Sequence, residues 1–206
     1  MTYPTILFPF EQDKTIHIPD PEKIKDRYLE LNSKDNTTPF PFWARIWPSA
    51  HALTTYLKDN LNFIQSKNVL EIGAGIGLPS FSIAEKAKEV IITDHSNEAI
   101  KLIQKNIDHL NLSNAKAARL DWNNFPIDFK VDTILLSDIN YDPTQIEPLI
   151  KLIQYFSSSG STVIISTPER ITATSFAVAI QPLIKHSVLQ TVQESEVLQE
   201  IRIMML

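Results

Sequence analysis

Three of the four glycines in the chain fall close together, directly after a short apolar segment. The sequence NVLEIGAGIG at 68–77 places β-forming side chains before Gly73, Gly75 and Gly77. This pattern predicts a buried strand that runs into a tight turn. Because glycine carries no side chain, the main chain can bend sharply there and approach a ligand closely before a helix begins near Leu78. The spacing indicates a ligand-binding turn, and a turn that only connects two elements is the alternative.

The order of the glycines argues against a dinucleotide such as NAD. A dinucleotide fingerprint reads G-x-G-x-x-G, and its third glycine would fall where this chain has Leu78. The glycines run instead as G-x-G-x-G behind the acidic Glu71. We therefore expect the turn to hold a ligand other than NAD.

Two further acidic residues end apolar segments. Asp94 closes EVIITD and follows Gly73 by about the 20 residues expected between a glycine loop and an acid that binds ribose hydroxyls. A carboxylate suits that role because it accepts from two vicinal O–H groups at once. Asp138 closes VDTILLSD, whose nearly continuous apolar character indicates a strand covered on both faces. A ligand is expected across the carboxyl ends of these strands.

Three blocks of the sequence resemble one branch of the methyltransferases that use S-adenosylmethionine (AdoMet). The E-x-G-x-G-x-G arrangement from Glu71 to Gly77 resembles motif I of the Rossmann-like AdoMet methyltransferases. The segment FWARIWPSAHAL at 42–53 resembles the W-P-S/G-A segment that precedes motif I in the protein-lysine methyltransferases of the methyltransferase-16 family. DINY at 138–141 matches the D-x-x-Y/F signature of the same family.

The resemblance implies that AdoMet is the cofactor and methyl donor, and it assigns residues to AdoMet. The family's tryptophan at the position of Trp47 lies against AdoMet, and Glu71 would orient the glycine turn and help bind the ligand's ammonium group through backbone carbonyls. Asp94 would bind the ribose, and Trp122 would lie near the adenine, with Asp121 or a neighbouring amide at its exocyclic amine. The cofactor-binding residues expected on this basis are Trp47, Glu71, Gly73, Ala74, Gly75, Gly77, Asp94, His95, Asp121, Trp122 and Ser137.

Some of these residues also have a purely structural interpretation. An acid at a strand end, such as Asp94, can be a solvated cap, and His95 beside it can be a surface histidine rather than a neighbour of the adenine. Trp122 can be a loop tryptophan that covers the end of the sheet. An aromatic face complements a purine, which favours ligand contact for Trp122.

The same resemblance assigns the residues that act on the methyl acceptor. Methyl transfer is an in-line displacement at a sulfonium carbon, so the enzyme must align a neutral amine with that carbon and exclude water. Asp138 would position the amine or the AdoMet head, and Tyr141 would offer a π-face to a cation. Asn140 differs from the aromatic residue of some relatives, which leaves the width and polarity of the acceptor channel open. The expected catalytic residues are Asp138, Asn140 and Tyr141.

Composition limits the classes of protein to which the chain can belong. With 206 residues, 43% hydrophobic and 21% charged, it is ordinary for one globular domain. The net charge of -5 gives no general basic footprint, so nucleic acid is not the expected partner. There is no cysteine and no basic start followed by an apolar core, and no apolar stretch has the ~20 residues of a membrane span. We expect a cytoplasmic monomer. We also expect no metal requirement, because the five histidines lack the spacing of metal ligands.

Alternating strands and helices from Asn68 onward predict an α/β, doubly wound sheet. The resemblance implies a Rossmann-like seven-strand methyltransferase sheet with an antiparallel C-terminal strand. Residues 1–60 are expected to form an extension, with a hairpin and a helix, that packs on a core of residues 61–206 in a single domain. The other segments predicted as strands or helices lie at 89–94, 97–110, 115–121, 131–138, 144–156, 161–168, 171–185, 186–194 and 197–206.

The sequence thus predicts an AdoMet-dependent N-methyltransferase whose acceptor is a lysine side chain of a protein. Two alternatives stay open at this point. One is a small-molecule N-methyltransferase with a nicotinamide-like or other amine acceptor, and the other is a catalytically silent AdoMet-binding protein. The intact D-x-x-Y tetrad argues against the silent protein.

Overall fold

The computed structural model describes residues 3–37, 39–125, 130–169, 174–194 and 196–206. The strands are β1 (Thr5–Glu11), β2 (Lys14–Pro19), β3 (Asn68–Ile72), β4 (Glu89–Asp94), β5 (Ala115–Arg119), β6 (Thr133–Ser137), β7 (Thr162–Pro168), β8 (His186–Glu194) and β9 (Val197–Met205). The helices are α1 (Pro21–Lys34), α2 (Pro48–Asp59), α3 (Leu78–Ile83), α4 (Asn97–His109), α5 (Ile146–Ser158) and α6 (Thr174–Ile180).

Seven strands form one sheet in the order β5-β4-β3-β6-β7-β9-β8. The five strands from β3 to β7 are parallel to one another, whereas β9 is antiparallel to both β7 and β8. The chain moves outward from β3 to β5 and then returns to add β6 on the other side of β3. The predicted α/β, doubly wound sheet with an antiparallel C-terminal strand is confirmed. Such a reversal of strand order opens a crevice at the carboxyl ends of β3 and β6, where ligands bind in folds of this class.

Both faces of the sheet are covered by helices. Along β3, Val69 belongs to a buried cluster that includes Leu53 of α2, while the adjacent Leu70 belongs to a second cluster with Leu149 of α5 and Phe176 of α6. Successive side chains of a strand point to opposite faces, which explains why this segment is apolar almost without interruption. The buried strand predicted before the glycines is therefore confirmed.

The predicted N-terminal hairpin and helix are also present. Strands β1 and β2 form a separate antiparallel pair. A buried side chain of α4, Asn106, binds this hairpin. The Asn106 carboxamide accepts from the backbone N–H of His17 at 2.7 Å and donates to its carbonyl at 2.9 Å. These two bonds satisfy a strand residue that has no neighbouring strand on that side. The division of the chain at residue 60 stays a prediction.

Three predicted boundaries differ from the structure for local reasons. Strand β5 ends at Arg119, because Asp121 accepts from the backbone N–H of Asn123 and caps a short 3-10 helix. Helix α5 begins at Ile146, since the residues just before it form another 3-10 turn. The helix predicted over 171–185 starts outside the described residues and its described part ends at residue 180. Pro182 follows in a further 3-10 turn, where its missing N–H cannot extend the helix.

Among the described residues, no helix combines the length and the apolar character needed to cross a membrane.

Candidate functional site

A cavity of about 560 Å³ lies at the carboxyl ends of β3, β4 and β6. The glycine turn after β3, the end of β4 and the residues after β6 line one side of it, and the segment from 39 to 47 lines the other. Its volume is within the range of sites that hold small molecules, roughly 300 to 1,000 Å³. The cavity therefore occupies the crevice that the strand order predicts.

The glycine turn forms the floor of the cavity with bare main chain. Gly73 and Gly75 have φ angles of +67° and +56°, in the left-handed region that favours glycine. A Cβ added at Gly75 would lie 2.9 Å from the carbonyl oxygen of Trp43, and one at Gly73 would lie 3.0 Å from Cγ2 of Ile139. Side chains at these positions would push the surrounding segments apart, so the spacing of the glycines is needed for the shape of the cavity.

Asp94 connects the end of β4 to the glycine turn. Its carboxylate is almost fully buried and accepts from the backbone N–H of Gly75 at 2.9 Å and of Ser96 at 2.8 Å. Each carboxylate oxygen has two acceptor positions, so these bonds leave room for further donors. Beside it, the largely exposed His95 ring has Nδ1 3.4 Å from Oδ1 of Asp94. Both Asp94 and His95 line the cavity.

Glu71 places a buried acid beside the same turn. Its Oε2 accepts from the backbone N–H of Ser80 at 3.1 Å, but within the described part of the chain its Oε1 has no hydrogen-bond partner. Burial is the main reason that the pKa of Glu71 is raised to about 7. The hydrogen bonds from Ser80 oppose this rise, and the negative charge of Asp94 adds to it. A buried carboxylate oxygen without a donor suits a cationic group of a ligand.

Glu71 leads to a prediction for the protein without ligand. The folded-state pKa of about 7 lies above the ordinary value of 4.5, so between these pH values the folded state keeps a proton that the unfolded chain has lost. The free energy of unfolding should therefore fall as the pH rises through this window, by up to about 3 kcal/mol from Glu71 alone. Urea unfolding of the wild type and of Glu71→Gln on both sides of the window measures this contribution, since glutamine removes it. Equal pH dependence in the two proteins would contradict the prediction.

The segment after β6 brings two of the predicted catalytic residues to the cavity. Asp138 is buried, has a φ of +53° that is uncommon for a residue other than glycine, and donates its backbone N–H to Ser166 of β7 at 2.9 Å. Tyr141 lies at the cavity and is 44% exposed. Asn140 is buried, and its carboxamide oxygen accepts from the Thr167 hydroxyl at 2.8 Å.

Asn140 is therefore placed differently from its two neighbours. It is not one of the described residues that line the cavity, and its bond to Thr167 holds the segment against β7. Its catalytic role stays a prediction, and the contact favours a supporting role.

Two tryptophans supply flat walls. The Trp47 indole N–H donates to the carbonyl of Phe42 at 3.0 Å, and the Arg45 guanidinium lies 4.5 Å over the Trp47 ring. The Trp122 indole N–H donates to the side-chain oxygen of Gln145 at 2.9 Å, and its ring lies against Gly73. Both rings line the cavity, and their apolar faces suit a flat heterocycle such as a purine.

Three other predicted residues differ in their relation to the cavity. Ala74 and Ser137 line it, and the Ser137 hydroxyl accepts from that of Ser166 at 3.2 Å. Asp121 is not among its described lining residues, because its carboxylate accepts from the main chain and the side chain of Asn123. These bonds keep the pKa of Asp121 below its usual value. A contact between Asp121 and the adenine stays a prediction.

Several lining residues were not predicted as site residues from the sequence. Most belong to the N-terminal segment, and some of them lie in the block at 42–53 that resembles the W-P-S/G-A segment of the methyltransferase-16 family. These residues include Tyr3, Arg27, Leu31, Phe40, Phe42, Ile46, Glu98 and Asp142. Among the described residues, no group of three or more histidine, aspartate and glutamate side chains is arranged to hold a metal ion.

The sheet order and the position of the cavity define a Rossmann-like methyltransferase fold, and solved structures share it. The N-methyltransferase NodS from Bradyrhizobium japonicum has a TM-score of 0.61 and 16% identity, with coverage of 77% of this chain and 96% of that chain. Magnesium protoporphyrin IX methyltransferase from Synechocystis, solved with bound SAM, has a TM-score of 0.59 and 14% identity, with coverage of 76% and 77%. Identities this low establish the fold alone.

Residues 28–181 match the lysine methyltransferase family, and the chain belongs to that family. Protein N-terminal and lysine N-methyltransferase EFM7 of Cryptococcus neoformans is 33% identical over 138 residues, which cover 59% of this chain and 46% of that protein. The electron transfer flavoprotein beta subunit lysine methyltransferase of Mus musculus is 31% identical over 142 residues, with coverage of 63% and 51%. The chain spans about half the length of these curated relatives. The family predicted from the three sequence blocks is confirmed.

Proposed function

We propose that this chain is an AdoMet-dependent N-methyltransferase that acts on a lysine side chain of a protein. The observation that carries the proposal is one cavity that joins the glycine turn, the buried acid Asp94 and the Asp138 to Tyr141 segment. Membership of the lysine methyltransferase family supports the same conclusion.

The residues around the cavity fit AdoMet, part by part. Oε1 of Glu71, which has no hydrogen-bond partner among the described atoms, suits the ammonium group of the amino-acid moiety. Asp94 keeps acceptor positions for ribose hydroxyls, and Trp47 and Trp122 present flat faces for the adenine. When bound, AdoMet supplies an electrophilic methyl group, which an uncharged amine attacks while the sulfur keeps the electron pair of the broken C–S bond. The chain's own residues must bind and align both partners and keep water away.

Asp138 and Tyr141 are the groups available to the acceptor. A carboxylate at the position of Asp138 attracts the lysine ammonium group, orients the nitrogen and accepts its hydrogen bonds. Burial raises the pKa of Tyr141, and the charges of Asp94, Asp142 and Asp138 raise it further, so its phenol stays neutral at physiological pH. Tyr141 therefore offers a hydroxyl and an aromatic face, and we assign it to binding the amine rather than to removing its proton.

The names of the relatives support a protein acceptor. Relatives include EFM2 of Saccharomyces cerevisiae, a protein-lysine N-methyltransferase 28% identical over an alignment of 206 residues, with coverage of 82% of this chain and 49% of that protein. The cytoplasmic location and the monomeric state expected from the sequence stay predictions.

Incubation of the purified protein with radiolabelled AdoMet and a host lysate tests the proposal. We expect label in a protein band and, by mass spectrometry, a methyl group on a lysine side chain. Label on an arginine or an N-terminal amine would assign a different acceptor nitrogen. Label only in small molecules would support the small-molecule enzyme, and AdoMet binding without any transfer would support the silent protein.

Asp94→Ala should weaken AdoMet binding about 10-fold to 100-fold, because a charge-assisted hydrogen bond contributes about 1.5 to 3 kcal/mol. Titration calorimetry with AdoMet measures this change. Thermal unfolding of the variant is the necessary control, since Asp94 also binds the main chain of the glycine turn. An affinity equal to that of the wild type would remove Asp94 from the site.

A further inference from the structure

Phe42 and Tyr141 form an exposed aromatic pair at the cavity. Their ring centroids are 5.2 Å apart, and both residues line the cavity. Both are large apolar residues that stay exposed, at 43% for Phe42 and 44% for Tyr141. Exposed apolar surface at the mouth of a cavity indicates a contact with another molecule.

The position of the Phe42 ring is fixed by its neighbours. Phe42 begins a short 3-10 helix, its carbonyl accepts from the Trp47 indole, and its backbone N–H donates to the carbonyl of Phe40 at 2.9 Å. Its ring also contacts that of Phe40, with centroids 5.3 Å apart, and Phe40 contacts Tyr28 of α1 at 5.1 Å. The pair is therefore the end of a continuous aromatic row, which provides a prearranged surface.

The charges near this pair favour a cation. Asp138 and Asp142 line the same cavity and, in addition to burial, the negative charges of their carboxylates raise the pKa of the Tyr141 phenol. The positive charge of Arg45, which lies over Trp47, is paired with Glu194. An approaching ammonium group therefore meets ring faces backed by negative charge.

We propose that Phe42, together with Tyr141, is an acceptor-recognition residue that selects the unbranched alkylammonium chain of a lysine. The methylene groups of the chain pack along the aromatic pair, and the ammonium group lies over a ring face near Asp138. Phe42 thus determines the affinity for the acceptor and makes no contribution to AdoMet binding. This inference rests on the proposed function, because the acceptor must enter a cavity that holds AdoMet.

Three adenosine compounds test the inference without knowledge of the natural substrate. One is S-adenosylhomocysteine, and the other two are analogues in which a nitrogen replaces its sulfur. One analogue carries a 2-(butylamino)ethyl arm, which places an ammonium nitrogen near the sulfur position with a butyl chain beyond it, and the other carries a heptyl arm of the same length. Calorimetry measures their binding to the wild type, Phe42→Ala, Phe42→Leu and the control Leu29→Ala. Leu29 is another exposed apolar residue, on α1 and outside the described lining of the cavity.

We expect the wild type to bind the 2-(butylamino)ethyl compound about tenfold tighter than the heptyl compound. Phe42→Ala should weaken binding of the 2-(butylamino)ethyl compound about 100-fold and of the heptyl compound about tenfold, so that the ammonium preference is lost, and should leave S-adenosylhomocysteine unchanged. Phe42→Leu should restore the affinity for the heptyl arm but not the preference for the ammonium group. Leu29→Ala should match the wild type throughout.

Two results would overturn the inference, and they differ from a failure of the proposed function. If S-adenosylhomocysteine binds normally but the ammonium preference is absent or survives in Phe42→Ala, the assignment of Phe42 is wrong and the cofactor site stands. If the wild type binds none of the three compounds, the proposed function fails and the inference fails with it.

Discussion

Asp138→Asn is expected to lower the rate of methyl transfer about 100-fold, the size of effect typical of a misaligned reactant. Its affinity for AdoMet should change by less than about threefold, which is under 1 kcal/mol. Asparagine has nearly the shape of aspartate but no negative charge, so it cannot attract the lysine ammonium group or hold it by charge-assisted hydrogen bonds. Transfer of label from AdoMet under saturating conditions, paired with calorimetry, separates the two quantities.

Asparagine is chosen because it removes the charge of Asp138 with little change in backbone strain. Asp138 has a φ of +53°, and asparagine tolerates the left-handed region better than alanine does. Asp138→Ala would therefore combine a chemical loss with backbone strain, and its stability should be lower than that of Asp138→Asn. A normal rate in Asp138→Asn would contradict the proposed role in acceptor binding.

Gly75→Ala should weaken AdoMet binding about 100-fold, equal to about 3 kcal/mol, and lower the stability of the fold by about 2 kcal/mol. The added methyl group would lie 2.9 Å from the carbonyl oxygen of Trp43, so the main chain of the segment that lines the cavity must move. The φ of +56° adds strain to any side chain at this position. Calorimetry with AdoMet and urea unfolding measure the two effects.

Gly160→Ala is a matched control, because it separates backbone strain from crowding. Gly160 has a φ of +86°, but a Cβ there would meet no described atom within 4 Å. We expect it to lose about 1 kcal/mol of stability and to keep the wild-type affinity for AdoMet. If Gly75→Ala binds AdoMet as well as Gly160→Ala does, the close approach between the glycine turn and Trp43 is irrelevant to the ligand.

The sequence predicted the fold well because its strongest signals are local. The apolar run of β3 and the glycines after it determine a strand, a turn and the start of a helix within a short segment. The reversal of strand order follows from the alternation of strands and helices in this class of fold. The errors lie at element ends, where caps such as Asp121 decide the boundary from a few hydrogen bonds.

The site was predicted in part. The limit was the separation along the chain between residues that meet at the site. Residues next to the glycine turn or at strand ends, such as Asp94 and Asp138, follow from the topology. Phe42 meets Tyr141 only after the N-terminal segment folds over the sheet, and nothing local in the sequence reveals that contact. The hydrogen bond from Thr167 to Asn140 is equally nonlocal, so the sequence does not show that the Asn140 carboxamide binds a residue of β7. The catalytic role of Asn140 stays a prediction.

A crystal structure of the protein with S-adenosylhomocysteine tests the central claim most directly. We predict that the ligand occupies the cavity, with its amino-acid part beside Gly73 and Glu71, its ribose hydroxyls bonded to Asp94 and its sulfur facing Asp138. Electron density for the ligand at another place, or a glycine turn whose cavity is filled by the ring of Trp47, would contradict the account.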